Sequence, residues 1–262
     1  MARLTSVLAV VLALSAACSA DDEPTPDPGR GPGTPVVGAC RLLTAADIQP
    51  ASNETPTVPC TSPHTSETIA VRGFRAAAVT NQSLTNGTLG NQALARCTTA
   101  WKQTLGGDTT AQHTSVAELA YYLPNQQQLS QGARWYRCDL VLGGQGGLPL
   151  QNLTRSAAGL LDGTVPDVLR ACRTTSDFVS GREVTCDRPH ALRAIGTAPL
   201  PDVDAYPGTA ALRAASAKGC SRVIKRWLHG RIDGGDAYQW PDRTGWEVLH
   251  DHVATCWTVT RD

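Results

Sequence analysis

The stretch "CTSPH", Cys60 to His64, recurs as "CDRPH", Cys186 to His190, 126 positions further along. A cysteine, two variable residues, a proline and a histidine are either a small reactive site in two copies or one landmark of a duplicated domain. The other cysteines decide for duplication. Cys40, Cys60, Cys97 and Cys138 are separated by 20, 37 and 41 residues, and Cys172, Cys186, Cys220 and Cys256 by 14, 34 and 36. Neighbouring residues agree as well: "GACRLLT" around Cys40 matches "RACRTTS" around Cys172, and "AYYLP" before Cys138 matches "AYQWP" before Cys256. "ARCTTAW" and "KGCSRVIKRW" each place a tryptophan shortly after a cysteine. Self-similarity of this kind marks a tandem repeat.

One layout fits both copies. In the first, "SETIAVRGF" alternates apolar and polar residues over Thr68 to Phe74 as a half-buried strand does. "TLGNQALARCTTAWKQTL" carries Leu89, Ala93, Cys97, Ala100 and Trp101 at helical spacing and ends at Gly106 and Gly107. "VAELAYYLP" and "RWYRCDLVL" read as two more strands. The second copy repeats this as strand "ALRAIGT", helix "GTAALRAASAKGCSRVIKRWL" and strands "GDAYQWP" and "HVATCWTVT". The expected fold class is α+β, two tandem small domains, each a β-sheet with one main helix and two disulfides. The expected boundaries are 36–142 and 165–262, with the glycine-rich 143–164 as a linker in which Leu153 to Leu161 adds a short helix.

The beginning of the chain sets the compartment. Residues 1–17 hold one early charge, Arg3, and then an apolar run that is too short for a membrane span and suits a secretory signal. "LSAAC" ends it, and small residues before a cysteine resemble a bacterial lipobox, which makes Cys18 the lipidated first residue. Ser15 stands where a lipobox has leucine, and without lipidation Cys18 would remain a thiol on a secreted protein. Residues 18–35, rich in Pro, Asp and Gly, read as a disordered tether. The body is expected outside the cytoplasm, on the outer face of the cytoplasmic membrane.

In that oxidising compartment the eight cysteines after Cys18 are expected as disulfides. Zinc sites use tight C-x-x-C pairs, and the chain has none. Four cysteines per copy permit three pairings, and spacing does not choose among them.

The bulk properties exclude several classes. The 262 residues are 41% apolar with a mean hydropathy of -0.19, as in a folded soluble body rather than a multi-span membrane protein. Basic and acidic residues balance at 23 each, so no overall field attracts nucleic acid. Only Lys102, Lys218 and Lys225 of the basic residues are lysine, a bias of GC-rich genomes.

Candidate chemistry is sparse. His64 and His190, beside cysteines, suit a metal ligand or a base activating a thiolate. Against this, a nucleophilic cysteine must be free, so the histidines are expected to bond backbone at the edge of a disulfide. "HDH", His250 to His252, would put two imidazoles on one strand face, read as a solvated face. No G-x-S-x-G occurs, and "GGQGG" lacks the Lys-Ser/Thr of a phosphate loop. Hence no catalytic residue, metal or cofactor is expected. Trp240 and Trp246 are the aromatic residues expected at the surface for glycan or protein binding. Asn81, Asn86 and Asn152 match the glycosylation pattern and are read as chance matches.

Taken in order, "VGAC", "VPCTSPHTSETIAV", the alanine-rich helix with Cys97, "YYLP" and "GARWYRC" resemble the septum-formation domain of exported and membrane-anchored actinobacterial proteins. The resemblance covers 36–142, and more loosely 165–258 through "VTCDRPHALRAIGT" and "AYPGTAAL". Ala39 and Ala171 stand where the family carries an acidic residue. The resemblance implies a link to division or envelope growth. Together these features lead us to expect a non-catalytic, lipid-anchored envelope protein whose two stapled domains bind an envelope or divisome protein or a cell-wall component. A redox or metal-handling protein using C-x-x-P-H is the alternative.

Overall fold

A computed structural model describes residues 31–75, 78–79, 87–230 and 235–260. The expected signal segment, Cys18, Asn81 and Asn86 lie outside the described residues.

The first repeat contains β1 (Cys40–Arg41), β2 (Ser66–Gly73), the main helix α1 (Thr88–Leu105), the short α2 (Thr109–His113), β3 (Ala117–Tyr122), α3 (Gln126–Ser130) and β4 (Trp135–Leu142). The second contains β5 (Ala171–Arg173), β6 (Glu183–Thr185), β7 (Leu192–Pro199), the main helix α4 (Thr209–Trp227), β8 (Asp236–Gln239), α5 (Arg243–Glu247) and β9 (Val253–Val259). Two antiparallel sheets result, ordered β1-β2-β4-β3 and β6-β5-β7-β9-β8. The expected α+β class holds, and α1 spans the stretch that periodicity predicted.

The duplication extends to detail. Cys40 bridges to Val58 and Cys172 pairs with Val184, both antiparallel. The β2/β4 ladder slips between Thr68 and Ala70, and the β7/β9 ladder slips between Ala194 and Gly196. The residues at these irregularities, Ile69 and Ile195, are related by the repeat offset. An extra residue of this kind bends the strand.

The disulfides follow one connectivity in both copies: Cys40–Cys60 and Cys97–Cys138, then Cys172–Cys186 and Cys220–Cys256. The first bond of each copy pins the entry strand to the C-x-x-P-H turn. The second ties the main helix to the strand beneath it. Each constrains the unfolded chain by roughly 3 kcal/mol or more in the chain-entropy model. That is comparable with what the core of so small a unit supplies alone.

The glycine-rich stretch expected as a linker is built into the core. Leu148, Leu153, Ala157, Leu160, Leu161 and Val165 are buried in one cluster with Leu105, Val116 and Leu140 of the first repeat and Leu192, Ala194 and Trp257 of the second. Gly143, Gly144, Gly146 and Gly147 take positive φ, which permits the tight turns that deliver these side chains. Turns, not a helix, occupy 153–161. Glu67 of β2 holds them by accepting from the Ala157 amide at 2.8 Å and the Ser156 hydroxyl at 3.2 Å.

The repeats also touch directly. Ser115 and Arg170 form a β-bridge, flanked by amide donation from Val116 to the Leu169 carbonyl at 2.9 Å and from Ala171 to the Thr114 carbonyl at 2.8 Å. At the start of the body, Thr34 is buried and the Pro32 carbonyl accepts from the Trp135 indole at 3.4 Å. The end of the expected tether therefore lies against β4.

Helix α4 lies especially close to its sheet, because a Cβ added to Gly219 would stand 2.7 Å from the Ala198 Cβ. Alanine in a helix interior ordinarily gains about 1 kcal/mol over glycine. Here the clash is with a short, rigid side chain, and overpacking costs typically 1–3 kcal/mol. Gly219→Ala should therefore lower the denaturation midpoint in urea; a rise would show that the helix can move away from β7 freely.

Candidate functional site

Both motif histidines are held in the same way. His64 Nδ1 donates to the Ser62 carbonyl and His190 Nδ1 to the Arg188 carbonyl, each at 2.8 Å across the intervening proline. Cys60 and Cys186 are oxidised. The ligand atoms of Cys172, Cys186 and His190 lie within 4.8 Å of one another, but their sulfurs are bonded together, so a thiolate set would require reduction. The landmark is a turn that its histidine closes.

Two aromatic and histidine expectations change. Trp246 is fully buried, donates to the Val203 carbonyl at 2.8 Å and stacks on His252 with ring centroids 4.1 Å apart. It offers no surface, because α5 turns its indole into the second core. His250 and His252 precede β9 rather than share a strand face. His250 has positive φ and is exposed, whereas His252 contacts Asp202 at 3.0 Å. Trp240 is half-buried and lines a cleft.

That cleft, about 340 Å³, lies where the repeats meet. The first repeat contributes Trp101 from α1, His113 from α2 and Glu118 from β3. The second contributes Arg173 from β5, Glu183 from β6, Trp257 from β9, and Trp240 and Asp251 from loops. Ser115, which bridges to Arg170, also lines it.

Burial dominates its electrostatics. Glu118 is pushed up to about 8, first by desolvation and then by the charge of Glu183, while the Gln145 amide donates to its Oε2 at 3.0 Å. Glu183 is raised by burial and partly restored by Arg173. Across the same junction His113 Nε2 lies 3.5 Å from Asp251 Oδ1. Burial lowers the imidazole and raises the carboxyl, and the attraction between them opposes both shifts.

Arg173 shows how the copies have diverged. Its counterpart Arg41 donates to the Thr68 hydroxyl at 2.8 Å, which donates at 2.8 Å to Asp139, itself 3.0 Å from Arg137. In the second repeat Trp257 occupies the position of Asp139 and Ala194 that of Thr68. Arg173 instead lies 3.9 Å over the Phe178 ring and 5.5 Å from the Trp257 ring centroid, and donates to the Phe178 and Gly181 carbonyls. Loss of the buried carboxylate network leaves an arginine and an indole at the cleft wall.

Cysteine and motif spacing gave no hint of these residues. The one local signal was Glu118, a charge inside the apolar strand "VAELAYY". With its aromatic walls and groups that donate and accept hydrogen bonds, the cleft is suited to hold a small polar ligand or a chain segment.

The shift at Glu118 fixes a sign. The folded state keeps a proton that the unfolded chain releases near 4.5, so this contribution to stability is full below that pH and lost as pH rises toward 8. Glu118→Gln should raise the melting temperature at pH 8 and flatten its decline between pH 5 and 8. An unchanged pH profile in the variant would show that Glu118 ionises normally.

The sequence model of the septum-formation family matches residues 37–257, that is, both repeats and the segment between them. No curated protein and no solved structure matches the chain.

Proposed function

The chain belongs to the septum-formation family, and from that premise we propose that it is a non-catalytic envelope protein acting in septum formation. Lipid on Cys18 holds it at the outer face of the cytoplasmic membrane. The cleft between its repeats binds an envelope or divisome protein or a cell-wall component. The observation that carries this reading is the cleft itself: Glu118 and Trp101 from one copy face Glu183, Arg173 and Trp240 from the other. A cleft assembled from both copies gives the duplication a binding surface that a single domain lacks.

Other features support it. Four disulfides suit an oxidising compartment outside the cytoplasm. All eight body cysteines are paired and both motif histidines bond backbone, which favours a structural C-x-x-P-H over a redox or metal-handling one. Among the described residues no helix is long and apolar enough to cross a membrane.

A fluorescent fusion of the full chain tests the reading in dividing cells. The wild type should concentrate at the division site, Trp240→Ala should stay on the membrane but spread evenly, and Cys18→Ser should leave the membrane fraction. An even wild-type distribution, or septal enrichment unchanged in Trp240→Ala, would contradict the cleft's role.

A further inference from the structure

Although the chain as a whole has no net charge, α4 has a strong one. Arg213, Lys218, Arg222, Lys225 and Arg226 lie on this helix without a single acidic residue, and all five are exposed. None forms an ion pair among the described residues. The corresponding helix of the first repeat, α1, has only Arg96 and Lys102. The same fold is thus built without this charge, which excludes a simple architectural need. Lys225 and Arg226 complement the helix dipole in the last turn. Lys218 with Arg222, and Arg222 with Arg226, are like-charge pairs four apart, each unfavourable by roughly 0.2–0.5 kcal/mol.

These charges are focused. Arg222, Lys225, Arg226 and His229 line a groove of about 810 Å³ whose other wall is Thr197 to Pro199 of β7, and among the described residues its lining includes no acidic one. Gly219, also on its wall, brings helix and strand together at the base. Trp227 is 43% exposed and lies one turn beyond Val223, which lines the groove.

We propose that this groove binds a phosphodiester-bearing polymer of the cell envelope. Arginine forks match phosphate oxygens in pairs, and a run of cations along a channel matches a chain with charges at regular intervals. The exposed indole supplies a stacking face for a sugar or polyol unit. A flat anionic bilayer fits less well. The apolar stripe of α4, Leu212, Cys220 and Ile224, is already buried against the sheet and cannot insert, and Arg222, Lys225 and Arg226 line a concavity. The groove and the inter-repeat cleft share no lining residue, so this site stands or falls separately from the cleft.

The test uses the exported chain carrying Cys18→Ser and a fluorescein-labelled poly(glycerol phosphate) of defined length, with anisotropy as the readout. Saturable binding is expected that weakens as salt approaches roughly 0.3 M and that neutral dextran does not displace. The pair Arg222→Glu and Arg226→Glu should weaken it by roughly tenfold or more. The pair Arg222→Lys and Arg226→Lys keeps the charge but not the paired donors and should lose less affinity than the charge reversal. Arg213→Glu, on the helix but outside the groove lining, should have a smaller effect. Circular dichroism confirms that each variant is folded. Absence of saturable binding, or equal losses from Arg213→Glu and the groove pair, would overturn the site. Phosphatidylglycerol vesicles form the second arm. If they retain the chain through Arg222 and Arg226 while the polymer does not, the occupant is a membrane and the proposal is wrong.

Discussion

Leu161 is completely buried between the two sheets, and the rest of the molecule is arranged around that fact. A strand-and-helix unit of this size buries little apolar surface, and its sheet has two faces to cover. The main helix and the disulfide beneath it cover one. Beside them, Leu148 to Val165 form a layer packed against residues of both repeats. Burying a leucine is worth roughly 1.5–3 kcal/mol, so the four leucines of this segment contribute as much as any other part of the core. The segment between the repeats is therefore what makes them one body.

A fixed junction has a functional consequence. Carboxylates of both repeats are brought toward one another at the cleft, where burial keeps Glu118 protonated well above its ordinary range. Two independent domains on a flexible connector could not impose such an environment, since each carboxylate would remain in water. The cost of desolvating these groups is offset by the apolar layer next to them. The divergence between Arg41 and Arg173 follows the same logic. The first repeat retains a buried ionic network as part of its core, while the second replaces the carboxylate by Trp257, which serves the shared core and the cleft together.

Local pattern revealed what local physics controls. The periodicity over 88–105 predicted α1, and the alternation after each C-x-x-P-H predicted β2 and β7, because a helix or strand that packs on one face must show it in sequence. Cysteine pairing was not legible, since spacing permits every connectivity and only the folded strands bring Cys40 to Cys60. Four positive-φ glycines disguised the central segment as a linker, although its leucines were visible. Trp246 was misjudged because its short helix, capped by Asp242, turns the ring inward against Tyr206 and His252. The cleft was illegible altogether. Glu118 and Glu183 are 65 residues apart and meet only through the contact between repeats.

The claim on which these points depend is that the two copies unfold as one. Scanning calorimetry of the protein with its disulfides intact measures this directly, with Leu161→Ala as the probe. Such a truncation costs roughly 2–5 kcal/mol. A shared core predicts one transition, with calorimetric and van't Hoff enthalpies equal, that moves down as a unit in the variant. Two separable transitions, one of them unmoved by Leu161→Ala, would show two independent domains and would remove the basis for a cleft fixed between them.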